Sequence, residues 1–323
     1  MAPITICFCA NNDYVGVLGI SIMSILESAV PGEAFDLYVL DNKISEKGKE
    51  ELTALKNRYQ DFSLTFLPFD EQIFRSCVPA TPMRGYWMAL SIFGRYLIPQ
   101  LIAADKVLYL DCDIMVRKSL RELWETDLGD AYIAGVPDYN IIKAERLKER
   151  LGADFNDREY LNSGVLLMNN RLWLEEHLYD RLMAYTTEHA IELRSPDQDA
   201  INVVCHGRKK LLPERYNVRN YMYMPDLYAD HPRRQEIIQE SKDPVIRHFH
   251  PWKRNHFVIH RDEWIALAKK SAWPFLVPHD DPKILAWIKI FLRYWARHPF
   301  FFILPRFYRR LRARGIATLL LDH

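Results

Sequence analysis

Residues 107–116 read VLYLDCDIMV. Val107, Leu108, Tyr109 and Leu110 run straight into Asp111, Cys112 and Asp113, after which apolar residues resume. The apolar run has the length and composition of a buried strand. Side chains at i and i+2 share one face of a strand, so Asp111 and Asp113 are expected to point the same way, with Cys112 turned toward the core. Two carboxylates that close repel each other and resist burial. A divalent cation removes the conflict: hard ions such as Mg²⁺ or Mn²⁺ take oxygen ligands and often complete their shell with substrate phosphates. The plainer alternative is a strand-to-loop turn carrying two solvated aspartates.

Around this stretch the chain alternates strands and helices. Ile4–Ala10, Phe35–Asp41, Phe62–Pro68, Lys106–Leu110, Tyr132–Val136, Val165–Asn169 and Val245–Phe249 read as strands. Gly16–Ser28 has helical periodicity, the segment from Ile44 is a charged amphipathic helix with Ser45 as half a capping box, and Met88–Ala103 reads as helical up to Pro99. The alternation predicts an α/β fold with a mainly parallel mixed sheet flanked by helices. In such sheets ligands bind outside the carboxyl ends of the strands. Asp111 and Asp113 fall at such an end, as do CANND after the first strand and Asp138 after the YIAGVP stretch.

The chain has 323 residues, 49% of them hydrophobic and 26% charged, and its formal net charge of +1 excludes a strongly basic nucleic-acid binder. The five cysteines, Cys7, Cys9, Cys77, Cys112 and Cys205, are scattered without a C-x-x-C, and read as reduced thiols. The N-terminus lacks the basic start of a signal peptide, and no uncharged apolar run approaches the roughly 18 residues that span a bilayer.

Further polar clusters interrupt apolar stretches. NSGVLLMNN sets Asn162 and Ser163 before a strand. SPDQDAINVV sets Asp197, Gln198 and Asp199 where Ser195-Pro196 opens a helix; either aspartate could simply cap it. VIRHFHPWKRNHF places His248 at a strand end, followed by His250, Trp252, Lys253 and Arg254. Basic side chains near a metal-binding carboxylate pair suggest a diphosphate.

These blocks together resemble glycosyltransferase family 8, above all its bacterial lipopolysaccharide and lipooligosaccharide α-galactosyltransferases and α-glucosyltransferases. The resemblance is carried by ANNDYVGVLGISIMSI, SIFGRYLIPQLIAADKVLYLDCDIMVRKSLRELWETDLGD, LNSGVLLMNNRLW, PDQDAINVV and HFHPWK, in that order. It implies a GT-A type fold, a UDP-hexose donor (UDP-galactose or UDP-glucose), Mn²⁺ or Mg²⁺ at the D-x-D, and transfer with retention. By the same resemblance Asp111, Asp113 and His248 would bind the metal. Ala10, Asn11 and Tyr14 would line the uridine pocket. Arg95, Asp138, Asn162 and Ser163 would contact the donor sugar, with Cys112 in the same donor-binding stretch. Asp197 and Gln198 would sit near the anomeric carbon, and Lys253 would neutralise the leaving diphosphate. Asp199 is read as structural, and Trp252 receives no role. The chain departs from the family pattern at Asn11, where an Asp is expected, and in HFHPWKRNH, which is shorter and reordered; whether Lys253 or Arg254 reaches the phosphate stays open.

The composition shifts at Pro278–Pro282. Lys283–Leu321 contains no Asp or Glu, nine Lys or Arg and nine aromatic residues. Ile284, Leu285, Ile288, Phe291, Leu292 and Trp295 make one apolar helical stripe, with Lys289, Arg293 and Arg297 elsewhere on the wheel. The division expected is a catalytic domain over 1–278 and a basic, aromatic-rich helical tail over 279–323 that attaches to an anionic membrane surface. A lipid-linked glycan acceptor and a place on the inner face of the cytoplasmic membrane would follow. The rivals are a phosphohydrolase of the haloacid dehalogenase class and a non-catalytic nucleotide-sugar- or glycan-binding protein. The first also uses D-x-D, but usually near the chain start and with x-[TV] after the second Asp, where this chain has IMVRK.

Overall fold

A computed structural model describes residues 2–79, 90–138, 144–152, 155, 159–223, 231–249 and 260–276. They belong to one compact unit spanning 1–252 and 258–277. Lys253, Trp252, Arg254, His250 and the tail expected over 279–323 lie outside the described residues.

Ten strands are described: β1 (Ile4–Asn11), β2 (Phe35–Asn42), β3 (Phe62–Pro68), β4 (Lys106–Leu110), β5 (Ile114–Val116), β6 (Ile133–Pro137), β7 (Leu161–Asn169), β8 (Lys209–Leu211), β9 (Val218–Arg219) and β10 (Ile246–His248). Seven form a sheet in the order β3-β2-β1-β4-β7-β6-β8, and β5-β10-β9 form a small second sheet. In the large sheet β3-β2, β2-β1, β1-β4 and β6-β8 are parallel, while β7 runs antiparallel to both β4 and β6. The expected mainly parallel mixed sheet is what forms. Chain order reverses between β1 and β4, and the crevice at their carboxyl ends is the place such a sheet offers a ligand.

Helices cover both faces. We number the principal ones α1 (Val15–Ser28), α2 (Glu46–Thr53), α3 (Leu178–Glu188), α4 (Pro196–Val204) and α5 (Arg261–Lys269). Alternation along β1 sends Ile4, Ile6 and Phe8 to the core shared with α1 and α5. Cys7 faces the opposite core, shared with α3 and α4. The Ser45 hydroxyl accepts from Gly48 N at 3.2 Å and caps α2.

The structure moves several boundaries. Residues 90–97 wind as a 3-10 turn, and Pro99 does not end a helix but sits in the first turn of a new one, Ile98–Leu101, where its missing N–H costs nothing. β7 begins at Leu161, so Asn162 and Ser163 are strand residues rather than a prelude to the strand. Asp111–Asp113 form the turn between β4 and β5 rather than the end of a strand.

α1 is buried on every side from Val15 to Ile25. A β-carbon on Gly19 would stand 2.1 Å from the Trp273 ring, so glycine is what lets the indole lie on the helix. Alanine ordinarily gains roughly 0.5–1 kcal/mol over glycine in a helix interior. Here Gly19→Ala should instead lose about 1–3 kcal/mol by overpacking. A lowered melting temperature is the expected result, and a raised one would show that the indole does not press on α1.

Candidate active site

The turn carrying the two aspartates is pinned by its backbone. Asp111 N donates to Gly164 O at 2.8 Å, and Phe249 N donates to Asp113 O at 2.8 Å. The Ser21 hydroxyl of α1 lies against the carbonyls of Cys112 and Ile114, the latter at 2.7 Å. Ser24 accepts from Val116 N at 2.9 Å. The Cys112 thiol points inward and donates to Cys9 O at 3.3 Å; burial pushes it well above the ordinary thiol range. Cys112 therefore meets the crevice through its backbone, not its sulfur.

β5 pairs antiparallel with β10, and His248 stands opposite Ile114. The register brings the imidazole over the turn. His248 Nε2 lies 3.2 Å from Asp113 Oδ1 and 3.7 Å from Asp111 Oδ2. One ligand atom from each of the three residues falls within 4.8 Å of the others. A β-carbon on Gly164 would stand 2.3 Å from His248 Cε1 and 2.6 Å from Asp111 Oδ2. The strand glycine thus clears the space in which the three ligating groups meet.

Beyond this triad lies a connected polar cluster. Buried Arg95 pairs with Asp111 at 3.1 Å and with Asp197 at 3.2 Å, and donates to Ser163 O at 2.6 Å. Burial opposes its charge, but Tyr109, Asp197 and Asp111 hold its pKa above the ordinary value. Burial raises the Asp197 carboxyl above the usual carboxylate range, with Arg95 and the Ser163 hydroxyl pulling the other way. Gln198 Oε1 accepts from Ser163 N and Asn162 Nδ2, both at 3.0 Å, while its Nε2 donates to Asp138 Oδ2 at 3.2 Å. Arg219 Nη1 holds the same Asp138 oxygen at 2.5 Å. The oxygen and imidazole donor set and the glycine-cleared space fit a divalent cation.

Asp111, Asp113, Asp138, Asn162, Ser163, Asp197, Gln198, Arg95 and His248 are therefore brought together in one cluster. Ala10 and Asn11 end β1 on the same sheet edge. Asn11 Oδ1 accepts from Asp13 N at 3.1 Å and caps the turn containing Tyr14, a local task for the residue expected to be Asp. Desolvation and the Asp113 and Asp111 carboxylates raise the Tyr14 phenol, which is 42% exposed. Asp199 is structural: Arg150, Tyr160 and the backbone N–H groups of Arg194 and Ser195 all hold it. Sequence reasoning missed Gly164, Asn217, Arg219, Tyr109 and Ser21. An isolated glycine in a strand and serines on a wholly apolar helix were the available signals; Asn217 offered none.

If the triad binds a divalent cation, Gly164→Ala should weaken that binding by about tenfold or more, since the added carbon crowds Asp111 and His248. Titration of the purified variant by calorimetry checks this. Unchanged affinity would mean that the triad tolerates the extra carbon and that the glycine has another purpose.

Residues 5–256 match the model of glycosyl transferase family 8. The lipopolysaccharide 1,2-glucosyltransferase of Escherichia coli is 32% identical over 211 residues, 64% of this chain and 60% of that protein. General stress protein A of Bacillus subtilis strain 168 is 26% identical over 278 residues, 82% of this chain and 93% of that protein. A Haemophilus influenzae relative matches at 28% identity over 66% of this chain and 62% of its own length, so the match spans less than two thirds of this relative and of the E. coli one. The crystal structure of galactosyltransferase LgtC in complex with donor and acceptor sugar analogs superposes with a TM-score of 0.71 at 26% identity, covering 85% of this chain and 98% of that one. The chain belongs to glycosyl transferase family 8, a family of sugar-transferring enzymes.

Proposed function

We propose that the protein is a retaining, metal-dependent hexosyltransferase that moves galactose or glucose from a UDP-sugar to a glycan of the lipopolysaccharide or lipooligosaccharide type. The observation that carries the reading is the convergence of Asp111, Asp113 and His248 within 4.8 Å at the switch-point edge of the sheet. Family membership and the activities of the E. coli and LgtC relatives support the substrate class.

Asp111, Asp113 and His248 would hold Mn²⁺ or Mg²⁺, which supplies positive charge to the donor diphosphate as the glycosidic bond breaks. The protein's own part is positioning. Arg95 keeps Asp111 and Asp197 in place. Asn162, Ser163, Gln198 and Asp138 form a rigid, hydrogen-bonded wall beside the triad, suited to orient sugar hydroxyls. Asp197 is engaged by Arg95 and Ser163, and Asp138 by Arg219 and Gln198. Neither is poised as a covalent nucleophile, which favours a front-face route over the two-carboxylate scheme of retaining glycosidases. In that route the acceptor hydroxyl attacks from the side on which UDP leaves, and a diphosphate oxygen takes its proton. In the observed network Gln198 Oε1 already accepts two hydrogen bonds, so Gln198 would act by holding Asn162 and Ser163 as much as by facing the anomeric carbon.

UDP release from a panel of nucleotide sugars, with and without Mn²⁺, tests the reading. Mn²⁺-dependent release from one UDP-hexose is expected, with Asp113→Asn lowering it by about a hundredfold or more. Hydrolysis of a simple phosphate ester without release from any nucleotide sugar would replace the transferase by a phosphohydrolase.

The same proposal places the protein on the inner face of the cytoplasmic membrane, through the acid-free run Lys283–Leu321. Among the described residues no helix is long and apolar enough to cross a membrane. A chain ending at residue 282 should lose binding to anionic liposomes while retaining donor hydrolysis; undiminished liposome binding would move the attachment elsewhere.

A further inference from the structure

Asn217 immediately precedes β9 and is completely buried. β9 runs parallel to β10, with Val218 opposite Arg247 and Arg219 opposite His248. The pairing sets Asn217 beside the imidazole. Its Oδ1 lies 3.0 Å from His248 Nδ1, and its Nδ2 donates to Asn162 Oδ1 at 2.8 Å. A side-chain amide has one acceptor atom and one donor atom. With the nitrogen committed to Asn162, the oxygen faces His248, and the ring proton must sit on Nδ1. The other ring nitrogen, Nε2, is the atom that faces Asp111 and Asp113. A neutral imidazole in this tautomer is what a cation ligand requires.

The other end of the amide reaches further. Asn162 Oδ1 also accepts from Gly164 N at 3.1 Å, and Asn162 Nδ2 donates to Gln198 Oε1 at 3.0 Å and Asp138 Oδ2 at 3.3 Å. One buried amide therefore joins the histidine of the triad to the wall expected to hold the donor sugar.

We infer that Asn217 is a positioning residue that sets the His248 tautomer for cation binding and ties that ligand to the Asn162–Gln198–Asp138 cluster. The inference rests on the cation reading of the triad proposed above. The two variants that separate its halves are Asn217→Ala, which loses both bonds, and Asn217→Asp, which still accepts from Nδ1–H but cannot donate to Asn162.

Two measurements on the full-length protein decide it. Nitrogen-15 NMR of labelled histidine in the metal-free protein reads the tautomer, and electron paramagnetic resonance of Mn²⁺ reads cation affinity without any donor. The unaltered protein and Asn217→Asp should show His248 protonated on Nδ1. Asn217→Ala should show a mixture of tautomers and bind Mn²⁺ about 10–100-fold more weakly. Asn217→Asp should keep Mn²⁺ affinity near that of the unaltered protein while raising KM for the donor. Equal Mn²⁺ affinity in Asn217→Ala and the unaltered protein would overturn this inference alone, as would an Nδ1 without a proton in the unaltered protein. An unaltered protein that bound no Mn²⁺ would overturn the cation reading and this inference with it. Should Asn217→Ala fail to fold, the tautomer of the unaltered protein and the affinity of Asn217→Asp decide the matter.

Discussion

Holding Asp111 and Asp113 against a buried imidazole is the constraint on which the rest of this structure depends. Like charges at that spacing repel, and burial removes the water that would screen them. The chain meets the cost with buried positive charge and with donors whose positions are fixed by packing. Arg95 stands between Asp111 and Asp197, with its guanidinium 4.4 Å above the Tyr109 ring, and the Tyr109 hydroxyl donates to the same Asp111 oxygen at 2.7 Å. A buried ion pair is weak evidence for stability, because desolvation offsets most of the attraction. Such a cluster makes better sense as preorganisation, with charge placed in advance where a ligand will bring its own.

The hydrophobic core takes part in that placement. α1 is apolar on every side, which leaves its two buried serines as the only hydroxyls along its inner length from Val15 to Ile25. Both are spent on the stretch that follows β4: Ser21 on the carbonyls of Cys112 and Ile114, Ser24 on the amide of Val116. Buried carbonyls and amides in a tight turn need such partners. The same helix is held on its other side by Trp273 lying on Gly19, with the indole nitrogen donating to Glu51 at 2.9 Å. Packing strain on α1 would therefore be transmitted to the aspartate turn, the most demanding element of the site.

The fold class was legible because alternation of strands and helices is a property of composition along the chain, and the grouping of the candidate-site residues because their blocks keep a family's order. What was not legible follows from geometry that no local pattern encodes. Asp111 and Asp113 reach the same point although they lie in a turn, because β5 and β10 fold His248 over them; the strand period had suggested the same convergence for a different reason. Pro99 reads as a stop, yet a proline serves equally well in the first turn of a new helix, and only the 3-10 turn before it decides which. Asn217 sits among ordinary polar residues in ERYNVRN, and its task exists only because β9 lies next to β10.

The antiparallel strand β7 resolves a difficulty that a purely parallel sheet would have left. In parallel strands only carboxyl ends face the crevice, so each strand offers the site its last residues alone. β7 enters between β4 and β6 in the opposite sense and brings its first residues, Asn162, Ser163 and Gly164, to the edge where β4 and β6 end. Those three do different work on consecutive positions. Asn162 and Ser163 anchor to Gln198 and Asp197 of α4, while Gly164 makes room for His248 and accepts the amide of Asp111 through its carbonyl. A one-residue slip of β7 against β4 would put Ser163 where Gly164 now stands and drive a side chain into the triad. The ladder that fixes this register is apolar and deep, with Leu110 paired to Val165 and Leu108 to Leu167, all four fully buried. The register of the polar site is thus set by hydrophobic pairing one to three residues away, and the charged groups inherit a geometry they would not hold by themselves.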